Sequence, residues 1–140
     1  MPSEQIVIAA GIVRNTEGKF LMQRRKDATL KDANGKWEIP GGKIRFDERP
    51  EDAAKREVKE ETGCDIEIER LLPYIHTNIW HRNDGTSFQV FILAYLARYV
   101  SGTPAPQDDK VMEVRWFTAE EVTHLECLTG DAELVALAAA

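Results

Sequence analysis

The sequence has little cysteine, which limits the chemistry open to it. Its 140 residues include two cysteines, Cys64 and Cys127, and these do not form a CxxC metal or redox motif. We therefore expect no disulfide framework. Two reduced thiols that fill apolar space are typical of a protein of the cytoplasm.

Long hydrophobic runs are also missing. The apolar runs fall far short of the ~18 residues that a membrane span needs. The first ten residues, "MPSEQIVIAA", have no basic segment ahead of an apolar stretch. We therefore expect no secretory leader, no membrane partner and a cytoplasmic location.

An excess of positive charge is absent as well. The formal net charge of -6 argues against broad binding to nucleic acid. A small anionic substrate stays compatible with this charge, because a bound divalent cation reverses the local sign. The hydrophobic fraction of 43% is that of an ordinary globular protein, and the length predicts a single domain over residues 1–140.

Hydrophobic periodicity predicts strands over residues 6–15, 19–25, 36–40, 65–75 with a break at Pro73, 88–100 and 111–117. The apolar run of residues 88–100 also fits a buried helix. A helix is predicted from about Pro50 to Thr62, with proline in its first turn and Gly63 as its C-terminal cap. Two further helices are predicted after Thr118 and Gly130. The fold class is α+β, a mixed sheet with helices on both faces.

Three glutamates of the predicted helix, Glu57, Glu60 and Glu61, fall within an arc of ~100°. Like charges at this spacing cost a few tenths of a kcal/mol per pair in an isolated helix. A plain surface helix is one interpretation, because opposite charges four residues apart, such as Glu51–Lys55, also occur on it.

The glycines before the helix favour a second interpretation. Gly41 and Gly42 let the backbone approach other groups closely, because no side chain stands in the way. Carboxylates and a backbone carbonyl that converge on one point form the oxygen-only site that Mg²⁺ or Mn²⁺ prefers.

The segment from Gly42 to Cys64 resembles the Nudix box of Nudix hydrolases. Gly42 is followed by five residues, Glu48, seven residues and "REVKEETGC", so each fixed position matches in spacing. Cys64 stands where an aliphatic residue is usual, and we expect this departure to affect packing only. The resemblance implies the family's α/β/α sandwich and hydrolysis of a nucleoside diphosphate linked to another group.

The resemblance also assigns roles within and around the box. Glu57, Glu60 and Glu61 would be catalytic and would ligate Mg²⁺, for which Mn²⁺ can substitute. The carbonyl of Gly41 would be a further ligand. A later acid would complete the site, with Glu113, Asp108 and Asp109 as candidates. Structural support would come from Gly42, Glu48, Arg56 and Gly63, with Arg56 pairing with Glu48.

The segments "FLMQRRKD" and "KWEIPGGKI" resemble those of the MutT-like members that act on nucleoside triphosphates. Arg25, Trp37 and Ile39 are therefore expected to bind the substrate. In these members the segment after the "WF" strand end curls back over the base, so Asp131 is expected to bind the substrate as well. Three of the four have a plainer alternative: Arg25 at a solvated strand end, Trp37 in the core, and Asp131 as the cap of the last helix.

The expected reaction is hydrolysis of a nucleoside triphosphate, including an oxidised one such as 8-oxo-dGTP, to the monophosphate and pyrophosphate. Ile79 and Trp80 occupy the positions where ADP-ribose hydrolases of the family have a proline. Another diphosphate derivative, such as a nucleotide-sugar or ADP-ribose, is the alternative. A non-catalytic nucleotide-binding module is a third interpretation. Members of the family often form dimers, so the resemblance also makes a homodimer one of the expected assemblies.

Overall fold

The computed structural model describes residues 4–140. Its strands are β1 (Glu4–Arg14), β2 (Phe20–Arg25), β3 (Trp37–Glu38), β4 (Gly41–Lys43), β5 (Asp65–Leu71), β6 (His76–His81), β7 (Ser87–Ser101) and β8 (Val111–Phe117). Its helices are α1 (Pro50–Thr62), α2 (Ala119–Val122) and α3 (Asp131–Ala139). None of the helices within this described part is long and apolar enough to cross a membrane.

The eight strands form one mixed sheet in which β1 and β7 lie side by side and run parallel, from the pair Glu4–Phe88 to the pair Arg14–Arg98. The main strand order is β3-β2-β1-β7-β5, with β4 beside β1, β6 beside β7 and β8 beside β2. These other pairings are antiparallel. The long apolar run of residues 88–100 is therefore a central strand and not a helix.

Alternation along β1 sends its side chains to two helical layers. Ala10 and Ile12 pack in the cluster that includes Leu134 of α3. Ala9 and Val13 face the other way, where Ala9 packs with the small residues of α1 and Val13 packs with Val58. The sheet therefore lies between helices, and the prediction of an α/β/α sandwich is confirmed.

The ends of α1 follow local rules of chain geometry. Pro50 occupies the first turn, and Gly63 at the C-terminal end has a left-handed φ of 79°, where its N–H donates to the carbonyl of Lys59. The predicted span of this helix, Pro50 to Thr62, agrees with the structure. Thr118 caps α2 through a reciprocal pair of hydrogen bonds with Glu121.

Two short elements were not predicted. The glycine pair forms part of β4, which pairs with β1, and the segment after Pro73 forms β6. Glycine is depleted in strands, so the sequence of β4 carries no strand signal. The segment of β6 alternates between half-buried and exposed residues, which weakens its hydrophobic pattern.

The packing of α3 on the sheet gives a stability prediction. Leu134 is fully buried against the sheet, whereas Leu137 on the same helix is 39% exposed. We expect Leu134→Ala to lower the free energy of unfolding by about 2–5 kcal/mol, because it leaves a cavity. The matched variant Leu137→Ala should lower it by less than about 1 kcal/mol. Urea denaturation measures both, and equal losses would contradict the described orientation of α3.

Candidate active site

The glycine pair brings the backbone of β4 against both β1 and α1. A Cβ added to Gly41 would lie 2.7 Å from the Cα of Ala10 on β1. A Cβ added to Gly42 would overlap the carboxyl group of Glu57 on α1. Position 41 therefore requires glycine, and a side chain at position 42 would displace the Glu57 carboxyl group, which lies directly against the backbone of Gly42.

The side chain of Arg56 ties the loop before α1 to the helix. Its Nε and Nη2 donate to the two carboxylate oxygens of Glu48 at 2.7 and 2.9 Å, and Nη2 also donates to the carbonyl of Lys43 at 3.1 Å. These hydrogen bonds from Arg56 lower the pKa of Glu48 to about 2. The structure thus places Arg56 and Glu48 together, in the bidentate geometry that holds a guanidinium and a carboxylate rigidly.

The three glutamates of the arc separate into a pair and a single residue. Glu57 and Glu61 line the same cleft, and both are half-buried. Burial, the neighbouring Glu57 and the charge of Glu38 raise the pKa of Glu61 to about 9. Glu60 is about half exposed and instead pairs with Arg56 at 3.2 Å and with Arg45 at 3.6 Å.

The loop between β7 and β8 brings one later acid to the glutamate pair. The loop docks on the end of α1, where the N–H groups of Ala105 and Gln107 donate to the carbonyls of Thr62 and Glu61. Of the three candidate acids, Asp108 lines the cleft beside Glu57 and Glu61. Glu113, the acid expected there from the sequence, lies on β8 and pairs with Arg24 at 3.8 Å and Arg115 at 3.2 Å.

Two adjoining clefts meet at the sheet and form one groove. The larger one has an empty volume of about 1150 Å³ and contains Glu57, Glu61 and Asp108. The smaller one, of about 660 Å³, has mostly apolar walls that include Leu30, Ile39, Trp80, Phe88 and Leu128. Arg25, Glu38 and Gly41 line both clefts.

Arg25 lies at the junction of the two clefts. It donates to Asp27 at 2.7 Å and to Glu38 at 3.1 Å. Burial raises the pKa of Glu38, although the charge of Arg25 and a hydrogen bond from Gln23 oppose that rise. Sequence reasoning missed Glu38. The available signal was an acid between two large apolar residues, Trp37 and Ile39, directly before the glycine pair.

The other predicted substrate residues take different positions. Ile39 lines the smaller cleft. Trp37 is buried in the core. Its ring packs edge to face against Phe117, with 5.0 Å between the ring centroids. The alternative interpretation of Trp37 as a core residue is therefore correct.

Asp131 lies at the wall of the smaller cleft and is 4% exposed. Its Oδ2 accepts the backbone N–H of Ile39 at 3.0 Å. Burial and the nearby charge of Glu38 raise its pKa well above the ordinary value. The cap of α3 is Gly130, with no side-chain cap hydrogen bond, so the interpretation of Asp131 as the helix cap is wrong.

The chemistry of the larger cleft fits a divalent cation in part. Glu57 and Glu61 are hard oxygen donors that line the same cleft, and a cation would offset the charge of both. The N–H of Gly41 points to Glu61 Oε1, at 3.3 Å. Across residues 4–140, the acidic, histidine and cysteine side chains do not form a ready cluster of three ligands. A cation bound there would therefore need ligands besides these two carboxylates.

Comparison with known proteins agrees with this geometry. The NUDIX domain family model matches residues 5–137. The chain is 32% identical over 122 residues to the MutT-like protein of Streptomyces ambofaciens, covering 87% of this chain and 70% of that protein. It is 32% identical over 117 residues to phosphatase NudJ of Escherichia coli strain K12, covering 82% and 70%.

A solved structure shows the same fold. The MutT protein of Methanosarcina mazei Go1 superposes with a TM-score of 0.76 at 23% identity, covering 99% of this chain and 93% of that one. The family match spans nearly the whole described chain and includes β4, α1 and the clefts beside them. The chain therefore belongs to the Nudix family, as a MutT-like Nudix hydrolase that acts on nucleotide derivatives.

Proposed function

We propose that this enzyme hydrolyses a nucleoside triphosphate to the nucleoside monophosphate and pyrophosphate, with Mg²⁺ as its cofactor. The observation that carries the proposal is the groove itself, in which a mostly apolar cleft adjoins a cleft that contains Glu57 and Glu61. Basic side chains line the second cleft, namely Arg25, Lys43, Arg82 and Lys110. Such a lining suits the several negative charges of a triphosphate.

The ligands of the cation would be Glu57, Glu61 and the carbonyl of Gly41, with Asp108 and Glu60 as further donors. When bound, Mg²⁺ neutralises phosphate charge and lowers the pKa of a water molecule that it carries. The exposed ion pairs of Glu60 contribute only about 0–1 kcal/mol each, so they do not oppose its recruitment.

The side chains of the groove divide the remaining work. One carboxylate of the Glu57–Glu61 pair accepts the proton of the attacking water, because it lies in the cleft where the phosphates bind. Arg25 holds a phosphate at the junction, and its planar guanidinium is fixed by Asp27 and Glu38. The apolar walls and Asp131 bind the nucleoside, which places the reacting phosphate beside the acids.

In this proposal, Asp131 is the residue that selects the base of the nucleotide. A buried carboxyl group with a raised pKa can donate as well as accept a hydrogen bond at the edge of a base. Its second partner, the N–H of Ile39, fixes its orientation at the cleft wall. Oxidised purines such as 8-oxo-dGTP present donors and acceptors that such a group can distinguish, so they belong in any substrate panel.

The first prediction concerns the reaction and its cofactor. Purified enzyme with Mg²⁺ should convert nucleoside triphosphates to monophosphate and pyrophosphate, and EDTA should abolish turnover until Mg²⁺ or Mn²⁺ is added in excess. Chromatography of the products measures this across a panel that includes nucleotide-sugars and ADP-ribose. Preferred turnover of a diphosphate derivative, without pyrophosphate, would favour the alternative substrate class. Full activity in EDTA, with no metal bound, would refute the proposal.

The second prediction separates stability from turnover at Glu61. The raised pKa of about 9 means that the folded state holds a proton which the unfolded state releases near pH 4.5. The metal-free enzyme should therefore lose stability as the pH rises from about 5 toward 9, and Glu61→Gln should remove most of that loss. Turnover with Mg²⁺ should fall by a factor of ~10² or more.

Calorimetry at several pH values and steady-state kinetics test both parts. Glu120→Gln is the matched control, because its side chain is 83% exposed and lines neither cleft. This control should keep both the pH profile of the melting temperature and the rate of the parent. A Glu61→Gln enzyme with a rate within a few-fold of the parent would exclude Glu61 from the site.

The third prediction concerns base selection by Asp131. Asp131→Ala should change the ranking of nucleotides by kcat/KM, because the edge of the base loses its hydrogen-bonding partner. Asp131→Asn keeps the shape and one acceptor, so it should keep the stability of the parent and alter the ranking alone. Kinetics on a panel of four nucleotides, with melting temperatures for each variant, measure this. An unchanged ranking with a lower melting temperature would make Asp131 purely structural.

A further inference from the structure

The side chain of Gln23 on β2 is buried at the wall of the larger cleft. It is 2% exposed, and it lies on the side of the sheet that carries α1, next to Leu21 on the same strand face. Its Nε2 donates to Glu61 Oε1 at 2.6 Å and to Glu38 Oε2 at 2.9 Å. The amide NH₂ group has two hydrogens, so both of its donors are used on carboxylates.

The carbonyl oxygen of the same amide has no hydrogen-bond partner within residues 4–140. Buried polar atoms are nearly always paired, so this orphan acceptor needs a physical reason. Rotating the amide by 180° would turn the oxygen toward Glu38 and Glu61 and would leave the two amide hydrogens without these acceptors. The two acids therefore fix the orientation of the amide, and its oxygen is left without a hydrogen-bond partner.

The contacts of Gln23 set the direction of each acid. Glu61 Oε1 receives both the Gln23 amide and the N–H of Gly41, which leaves Oε2 without these two contacts. Glu38 is held at both oxygens, by Gln23 at Oε2 and by Arg25 at Oε1. One neutral side chain thus joins the glutamate beside the phosphates to the arginine at the junction of the clefts.

We propose that Gln23 is a positioning residue of this hydrolase. Its amide holds Glu61 with one oxygen turned toward the larger cleft, and it couples that carboxylate to the Glu38–Arg25 pair. The inference rests on the proposed function, because Glu61 is the group that Gln23 positions. A neutral amide suits this place, since it spaces two carboxylates apart and adds no charge to a groove that must accept a cation and a polyanion.

The decisive variant is Gln23→Met, which keeps the length of the side chain and removes both donors. Outer partners of metal ligands typically contribute 10–100-fold to metal affinity or activity. We expect the affinity for Mn²⁺ alone, measured by electron paramagnetic resonance of the free ion, to fall at least ~10-fold. We also expect kcat at saturating Mg²⁺ to fall ~10-fold or more.

The matched control is Leu21→Met, a buried, volume-conserving change on the same strand and the same sheet face. It tests whether disturbed packing of β2 against α1 is enough to lower metal binding. It should keep the Mn²⁺ affinity and the kcat of the parent. A Gln23→Met enzyme that matches this control in both measurements would overturn the inference.

A measurement on the parent protein covers the case in which Gln23→Met does not fold. The side-chain amide protons of Gln23, assigned by NMR on ¹⁵N-labelled enzyme, should exchange slowly with solvent. They should also broaden at substoichiometric Mn²⁺. Fast exchange together with no effect of Mn²⁺ would overturn the inference. A parent that neither binds Mn²⁺ nor hydrolyses any nucleotide would overturn the proposed function and this inference together, whereas failure of Gln23 alone leaves the proposed function standing.

Discussion

The close approach of two carboxyl groups, Glu57 and Glu61, against the backbone of β4 is the constraint on which this site depends. The Glu57 carboxyl group fills the space above Gly42, and Glu61 is held by the N–H of Gly41. Neither group can turn away without losing contacts or meeting the sheet. Burial of Glu61 raises its pKa to about 9, and the neighbouring Glu57 and Glu38 add to that rise. Such strain persists only where the surrounding structure holds it in place.

The two faces of α1 keep Glu57 and Glu61 in place in different ways. On the buried face, Ala53 and Ala54 let the helix lie close to β1, because each side chain is a single methyl group. On the open face, Arg56 donates a hydrogen bond to Glu48 and another to Glu57 Oε1, each at 2.7 Å. The helix can therefore neither withdraw from the sheet nor rotate the acids into solvent. The two alanines and Arg56 thus stabilise an arrangement that the charges of the acids destabilise.

Features that depend on neighbours in sequence were predicted well. The helix from Pro50 to Thr62 follows from proline in its first turn and Gly63 at its end, and the structure gives the same bounds. The likeness of Gly42–Cys64 to the Nudix box directed attention to Glu57 and Glu61, which the fold does bring together. These signals lie within one segment of chain, so no tertiary information was needed.

Features that depend on distant contacts were not predicted. An arc of ~100° could not show that Glu60 turns to Arg45, because ion pairs across a loop are set by tertiary geometry. Glu38 takes its importance from Gln23 and Arg25 on another strand, and its place between Trp37 and Ile39 in the sequence does not show these contacts. Trp37 and Glu113 were also among the site candidates, yet their strands place them elsewhere.

The net charge of the protein differs from the charge of the larger cleft. The chain carries a formal charge of -6, which repels a nucleotide at long range. The larger cleft is formally neutral, because its four acids, Glu38, Glu57, Glu61 and Asp108, match its four bases, Arg25, Lys43, Arg82 and Lys110. A proton on Glu61 adds one positive charge to this balance, and a divalent cation in place of the proton adds two. Under the proposed function, loading the cation therefore makes the cleft attractive to a polyphosphate in the same step that prepares it for hydrolysis.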